Sequence, residues 1–125
     1  MRDKFGVRCY DLHIAYGAFM NTSYIVVVVT AKDRPEAQKI AQGLLGERLI
    51  ACANILDGME SLFWWQGKID RSKEVLLILK TKKSLFHKLA ARVKSLHSYK
   101  VPEIIALPIV AGSKGYLDWV KESVC

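Results

Sequence analysis

A run of β-branched residues, YIVVVVT at positions 24–30, constrains the fold of this chain more than any other stretch. Valine and isoleucine favour extended backbone, and successive side chains of a strand point to opposite faces of its sheet. Because apolar residues fill consecutive positions here, both faces of the strand should be buried. The run therefore predicts a central strand.

A helix is predicted directly after this strand. Asp33 followed by Glu36 matches a capping box, and Pro35 suits the first helical turn. One apolar stripe with helical spacing follows, formed by Ala37, Ile40, Ala41, Leu44 and Leu45. The spacing indicates a helix that packs one face against the predicted sheet.

The remaining pattern completes a β-α-β-β-α-β order. Strands are predicted at 49–56, 59–69, 74–81 and 103–112, a second helix follows a Ser84 cap, and a short amphipathic helix spans 116–124. Asp57-Gly58 is a turn signal, and Asp70-Arg71-Ser72 separates two of the strands. Pro108 cannot donate to a β-ladder, so the last strand should lie at a sheet edge or bulge there.

Right-handed crossovers between these elements give an α+β fold of the ferredoxin-like split βαβ type. Its antiparallel sheet carries both long helices on one face. An extended β-hairpin arm elaborates the middle strands, and the short helix ends the chain.

The composition is that of one globular domain with a single core, with 125 residues, 51% hydrophobic and 25% charged. No apolar run is long enough to span a bilayer, and the N-terminal stretch lacks the continuous apolar segment of a secretory signal. Cys9, Cys52 and Cys125 are far apart and form no C-x-x-C motif. We therefore expect reduced thiols, a cytoplasmic location and no membrane partner.

Much of the formal net charge of +7 lies between Lys80 and Lys100. A basic balance is typical of proteins that bind nucleic acids or anionic ligands. A solvated helix face explains the same charges more simply, and we favour that interpretation.

Four segments, ERLIACANI, FWWQGKI, EVLLILKT and LHSYKVPEIIALPI, together resemble the CutA family of divalent-cation tolerance proteins. The resemblance depends on the ordered combination of Cys52-x-Asn54, aromatic-Trp64-Trp65-x-Gly67-Lys68 and His97-x-Tyr99-x-x-Pro102-Glu103. It covers about residues 23–122.

The resemblance implies a tight homotrimer of ferredoxin-like subunits and no established enzymatic reaction. It also implies a link to Cu(II) or another divalent cation, without an obligatory cofactor. Residues 21–125 then form the CutA-like domain. Residues 1–20 form an N-terminal extension that we expect to be loosely ordered.

The sequence departs from the family pattern at positions that bear on metal binding. Some bacterial members carry a cysteine near the end of the first strand and a second histidine beside the first, where this chain has Val29 and Leu96. A copper site of that type would keep only His97. Lys100 stands where the family often has an acid or an amide, and Ser98 where it usually has a proline.

His97, Tyr99 and Glu103 are the candidate metal ligands. An imidazole, a phenol and a carboxylate could meet at one site, and copper and zinc accept imidazole and carboxylate ligands. The alternative is structural, because His97 and Glu103 could satisfy buried backbone groups where the helix joins the strand. The sequence leaves both interpretations open.

Phe63, Trp64 and Trp65 are the candidate subunit interface. Consecutive strand residues point to opposite faces, so the three cannot all face one core. They require a second layer or a partner subunit, and we favour the partner. Stacking on nucleobases is the competing interpretation.

Several other functions are compatible with this fold. A trimer similar to the PII-type signal proteins would hold an anionic small molecule with Lys80, Lys82 and Lys100 as its ligand cleft. An RNA-binding module is disfavoured, because the aromatic motif of the RNA-recognition domains is missing. An acylphosphatase-like enzyme lacks its phosphate loop, and no nucleophile–base arrangement is readable. A non-enzymatic homotrimer linked to divalent metals is therefore the leading hypothesis, with weak metal binding at clefts between subunits.

Overall fold

The β-branched run forms the first strand of an antiparallel sheet in the computed structural model, which describes residues 23–125. The elements are, in chain order, β1 Tyr24–Ala31, α1 Arg34–Gly46, β2 Cys52–Trp65, β3 Lys68–Lys82, α2 Phe86–Leu96, β4 Ile104–Pro108 and α3 Lys114–Ser123. The strand order is β2-β3-β1-β4, and all neighbouring strands are antiparallel. This is the predicted ferredoxin-like α+β fold, with the hairpin arm and the C-terminal helix in their predicted places.

The extension predicted at residues 1–20 lies outside the described residues. None of the helices between residues 23 and 125 is long and apolar enough to cross a membrane. Pro108 ends β4, which forms one edge of the sheet, as expected for a residue without a backbone N–H.

The predicted cap is present at the start of α1 but absent at the start of α2. Asp33 Oδ1 accepts a hydrogen bond from the Glu36 backbone N–H at 2.9 Å, and Pro35 lies in the first turn. Ser84 instead lies in a single 3₁₀ turn, Lys83–Leu85, and no side chain caps α2. The predicted Ser84 cap is therefore wrong.

The helices α1 and α2 cover one face of β1, whereas α3 reaches the other face only at the start of β1, where Tyr24 is 8% exposed. Val27 and Val29 are fully buried on the face beneath α1 and α2. They share the core with Leu77 and Leu79 of β3, Ile40 and Leu44 of α1, and Leu89 and Val93 of α2. We expected both faces of β1 to be buried. In the described residues, the face with Val27 and Val29 is fully buried, and the other face is buried only in part.

The other face of the sheet is apolar and partly exposed. We call it the open face, and it comprises Val26, Val28, Leu76, Ile78, Ile105 and Leu107. Ile105 and Leu107 are 50% and 54% exposed. A large apolar surface of this kind commonly marks a protein interface.

The β2–β3 hairpin is longer than predicted because Asp57-Gly58 does not end a strand. β2 continues through these two residues as a β-bulge between the pairs Leu56–Leu76 and Met59–Glu74. Gly58 has a φ of 79°, a value that suits a bulge as well as a turn. The turn predicted at Asp57-Gly58 is therefore wrong.

The expected break at Asp70-Arg71-Ser72 is also absent. These residues pair with β2 inside the long strand β3. The hairpin closes at Gln66 and Gly67, whose φ values of 50° and 78° are those of a two-residue type I′ turn. We call residues 57–73 the arm.

The conformation of Gly58 gives a test of the bulge. Alanine at a positive φ costs about 1–2 kcal/mol because its Cβ approaches the carbonyl oxygen. Gly58→Ala should therefore lower the free energy of unfolding by about that amount, measured by urea denaturation at fixed protein concentration. Gly46→Ala is the matched control, since Gly46 ends α1 with open space around it. The control should be neutral or stabilising by up to ~1 kcal/mol. Equal effects of the two changes would contradict the bulge geometry.

Candidate functional site

The loop between α2 and β4, residues 97–103, contains the polar side chains that the sequence analysis singled out. His97 directly follows α2 with extended backbone (φ −87°, ψ 142°). Two contacts hold the loop in place. The His97 ring contacts Thr30 at the end of β1, and Ser98 contacts Glu36 in the first turn of α1.

The His97 imidazole uses both of its nitrogens within the subunit. Its side chain is completely buried. Nδ1 accepts a hydrogen bond from the Tyr99 backbone N–H at 3.0 Å, and Nε2 lies 2.7 Å from the Thr30 carbonyl oxygen. Since Nδ1 is an acceptor, Nε2 carries the proton and donates it to Thr30. His97 thus joins the loop to β1 through contacts at both ring nitrogens.

The Glu36 carboxylate forms a second buried anchor for the loop. Oε2 accepts a hydrogen bond from the Ser98 backbone N–H at 3.0 Å, and Oε1 accepts one from the Lys32 backbone N–H at 3.3 Å. Burial alone would raise the pKa of the Glu36 carboxyl. The hydrogen bonds from Ser98 and Lys32 outweigh burial and bring this pKa below its ordinary value.

Tyr99 connects the loop to the base of the arm. Its hydroxyl donates a hydrogen bond to Glu74 Oε2 at 2.8 Å, and its ring lies against His97 with centroids 4.7 Å apart. Glu74 pairs with Met59 beside the bulge. Burial raises the pKa of the Tyr99 phenol, and the bond to Glu74 raises it further.

These three predicted ligands do not fit a metal site within one subunit. His97 and Tyr99 lie together, but both His97 nitrogens and the Tyr99 hydroxyl already have partners. Glu103 is exposed just before β4. Between residues 23 and 125 no group of three or more His, Cys, Asp or Glu side chains is arranged to hold a metal ion.

The structural alternative describes His97 well, since its ring satisfies backbone groups where the helix joins the strand. Sequence reasoning assigned the carboxylate of this junction to Glu103, whereas Glu36 and Glu74 supply the contacts. The sequence pattern indicated only one role for Glu36, as part of a capping box. Its carboxylate accepts from Ser98, 62 residues away, and no local pattern signals that contact.

The three lysines of the predicted ligand cleft do not meet within one subunit. Lys82 pairs with Tyr24 at the start of β1, whereas the loop that carries Lys100 contacts Thr30 near its end. The two places are about 20 Å apart, given ~3.3 Å per strand residue. Lys80 donates to Asn54, and burial, with Lys121 nearby, lowers the pKa of Lys82. These lysines therefore form no cleft within one subunit, and a cleft between the subunits of a trimer stays a prediction.

The aromatic residues of the predicted interface end β2 at the tip of the arm. Phe63, Trp64 and Trp65 are 39%, 74% and 59% exposed in the described subunit. Ile69, which pairs with Trp64, is 66% exposed. The arm thus extends beyond the layer of helices and presents large apolar side chains on both of its faces.

Cys52 lies on β2 beside the C-terminal helix. It is a free thiol whose Sγ lies 3.6 Å from the Tyr116 hydroxyl oxygen, and this contact together with burial raises the pKa of Tyr116 to about 12. Cys9 lies outside the described residues, so the expectation of three reduced thiols stays a prediction.

Glu36 makes the stability of the fold sensitive to acid. Its pKa is lower in the folded chain than the ~4.3 of an unfolded chain, so its carboxylate stabilises the fold above that value. The contribution is lost as the pH falls through the folded pKa. Glu36→Gln should lower the free energy of unfolding by about 1–3 kcal/mol near neutral pH. The difference in the free energy of unfolding between the parent and Glu36→Gln should become smaller at acid pH.

Urea unfolding of both proteins over a series of pH values measures this difference. Glu122→Gln is the control, because Glu122 is exposed on α3. It should change the free energy of unfolding by less than ~0.5 kcal/mol. A gap between parent and Glu36→Gln that stays constant down to acid pH would contradict the assignment.

The chain was compared with known families and proteins. The family model described as CutA1 divalent ion tolerance protein matches residues 25–123. The divalent-cation tolerance protein CutA of Thermus thermophilus is 48% identical over 98 residues, which cover 78% of this chain and 95% of that protein. The chloroplastic protein CutA 1 of Oryza sativa is 46% identical over 99 residues, but the match spans 56% of that protein's length.

Solved structures agree with the sequence matches. The divalent cation tolerance protein of Thermus thermophilus superimposes with a TM-score of 0.80 at 46% identity and covers 82% of this chain and 99% of that chain. The family model, which matches residues 25–123, spans the arm and all of the sheet except Tyr24.

Proposed function

The chain belongs to the CutA1 divalent ion tolerance family, and on that premise we propose that it serves divalent-cation tolerance as a non-catalytic homotrimer. The subunits associate through the open face and the arm. One observation carries this proposal. β1 is apolar on both faces, whereas the described residues bury one of them fully and leave Val26 and Val28 on the other partly exposed.

The open face supports association because its apolar residues are continuous across three strands. Val28 lies between Ile78 of β3 and Ile105 of β4 in the register of the sheet. Leu107 lies beside Val26 in the next row. Burying such a surface stabilises an assembly by roughly 25 cal/mol per Å² of apolar area.

The arm supports association because it cannot be stable by its own packing. An isolated two-stranded hairpin is marginal in water, and a stable one needs further strands or a packed face. Trp64 and Trp65 are largely exposed in the subunit. Contacts with a neighbouring subunit would cover them and hold the arm in place.

The site geometry supports a non-catalytic role. Both ring nitrogens of His97 and the hydroxyl of Tyr99 are bonded within the subunit, so neither residue is available as a base or acid. The family is described by tolerance of divalent ions, not by a reaction.

A single charge on the open face tests the assembly. Leu107→Glu should convert the trimer into monomers, because an unpaired carboxylate inside an apolar interface is costly. Light scattering during gel filtration measures the molar mass. The parent chain should have three times the mass of a 14.1 kDa monomer.

Leu45→Glu provides the matched control, since Leu45 is 42% exposed on α1, in the layer on the opposite side of the sheet. This variant should keep the mass of the parent. A monomeric parent, or an assembled Leu107→Glu, would overturn the proposed association.

We further propose that divalent cations bind this protein weakly, at clefts that form between subunits. Exposed Glu103 is available to such a cleft, whereas His97 is not. The Cu(II) dissociation constant should be micromolar or weaker, which corresponds to a binding free energy of about −8 kcal/mol or less favourable.

His97→Ala separates a structural from a metal-binding role. It should leave the Cu(II) affinity within about threefold of the parent, measured by calorimetry. It should destabilise the fold by about 1–3 kcal/mol, because the Thr30 carbonyl loses its donor. His87→Ala, at an exposed position of α2, should change neither quantity. Loss of Cu(II) binding in His97→Ala would show that His97 is a ligand, and nanomolar binding by the parent would contradict the proposed weak site.

A further inference from the structure

The net charge of this chain is concentrated in one segment, residues 75–102. The chain has 19 basic and 12 acidic residues. This segment contains seven of the basic residues and none of the acidic ones, so the rest of the chain carries no net charge. Helix α2 occupies the middle of the segment. The positive charge therefore belongs to one region of the surface and not to the whole protein.

Most of these cations have no partner in the described part of the chain. Lys80 and Arg92 form side-chain contacts, and Lys82 is buried. The other four side chains are exposed and take part in no ion pair among residues 23–125. Together with one exposed histidine they form what we call the basic surface, which comprises Lys83, His87, Lys88, Lys94 and Lys100.

The basic surface follows the length of α2. Lys83 and His87 border a shallow groove at one end of the helix, and Lys94 and Lys100 border a second groove at the other end. Phe86 lines both grooves, so the two are neighbours. At ~1.5 Å per helical residue, Lys83 and Lys94 are roughly 17 Å apart along the axis. A line of cations suits an extended polyanion better than a single small anion.

The same charges oppose the stability of α2. Acidic residues are favourable at the positive N-terminal end of a helix, yet the first turn of α2 contains Lys88 and no acidic residue. Lys88 and Arg92 also repel each other at i, i+4 spacing, and Glu47 offsets only Arg92. A solvated helix face usually pairs both signs of charge at this spacing. Solvation alone therefore leaves the charges of α2 unexplained.

The residues around these lysines indicate which polyanion fits. Ser84, Ser95 and Ser98 are exposed along the same stretch, and lysine and serine side chains commonly contact nucleic-acid phosphates. Between residues 83 and 100 no large apolar side chain is exposed, and only Val101 at the border is. A membrane surface is typically bound by several such apolar side chains, and single-stranded nucleic acid by exposed aromatic rings.

We propose that the basic surface binds double-stranded nucleic acid through its phosphate backbone, without reading the sequence of bases. Each strand of a duplex carries one charge per ~3.4 Å, so several phosphates face a surface roughly 17 Å long. The ammonium groups contact these phosphates, and the serine hydroxyls donate hydrogen bonds to their oxygens. This activity goes beyond divalent-cation tolerance and does not depend on the proposed homotrimer.

Fluorescence anisotropy with a labelled duplex DNA several helical turns long tests the proposal. Neutralising about four phosphates should make the dissociation constant rise roughly 100-fold between about 50 and 200 mM salt, because bound counterions are released. Near physiological salt the dissociation constant should be about 10⁻⁶–10⁻⁴ M, as for other contacts that do not read sequence.

Lys88→Gln combined with Lys94→Gln should weaken binding at least about tenfold at low salt and lower the salt slope by about two. Lys32→Gln combined with Lys68→Gln is the matched control, since it removes the same charge from exposed positions outside the basic surface. The control should bind within about threefold of the parent. Lys88→Arg combined with Lys94→Arg keeps the charge and should also bind like the parent, which separates lost charge from lost folding.

Loss of binding in the Lys88 and Lys94 glutamine pair alone supports the proposal. Equal loss in the control pair, or no binding of duplex by the parent at low salt, overturns it. Tighter binding of single-stranded DNA than of duplex also overturns it, as does binding only to phosphatidylserine vesicles.

Discussion

The constraint on which this structure depends is that β1 is apolar on both faces, while two helices on one side of a four-stranded sheet can cover only one of them. Val27 and Val29 are buried beneath α1 and α2, and this half of the strand forms the core of the subunit. Val26 and Val28 belong to a face that another layer must complete. Among the described residues only α3 reaches that side, beside Cys52 at one end of the sheet, so Val26 and Val28 stay partly exposed. The proposed association is therefore a consequence of the same strand that organises the fold.

Polar groups in the loop after α2 serve this architecture. His97, Glu36 and Tyr99 bond the loop to β1, to α1 and to the base of the arm. Each buried side-chain nitrogen or oxygen atom of the described residues has a hydrogen-bond partner, as folding requires where water is excluded. A histidine, a tyrosine and a carboxylate in such a place resemble a reactive site in sequence. Their hydrogen bonds leave no free lone pair on the imidazole for a cation.

The sequence predicted the elements of secondary structure that depend on local periodicity. The predictions failed where a contact with a residue far along the chain decides the structure. The strand order followed from alternating elements and right-handed crossovers, and Asp33 capped α1 as its spacing indicates. Asp57-Gly58 was misread because a bulge and a turn both need a residue with positive φ, and only the partner strand distinguishes them. The role of Glu36 depends on Ser98, which the chain reaches after two strands and a helix. The three lysines were grouped by proximity in sequence and charge, yet the direction of β3 carries Lys82 to the far end of the sheet.

The loop after α2 also links the helices to the base of the arm. Tyr99 holds the base of the arm through Glu74, while Val101 and Pro102 border the groove between α2 and β4. A change in the position of this loop would therefore move the base of the arm and the border of this groove together. The loop itself is anchored by the buried His97 ring on β1 and by the buried Glu36 carboxylate on α1. In the proposed homotrimer these residues would set the geometry at which each arm leaves its subunit, which explains why the protein needs a cluster of polar residues here even though they take no part in a reaction.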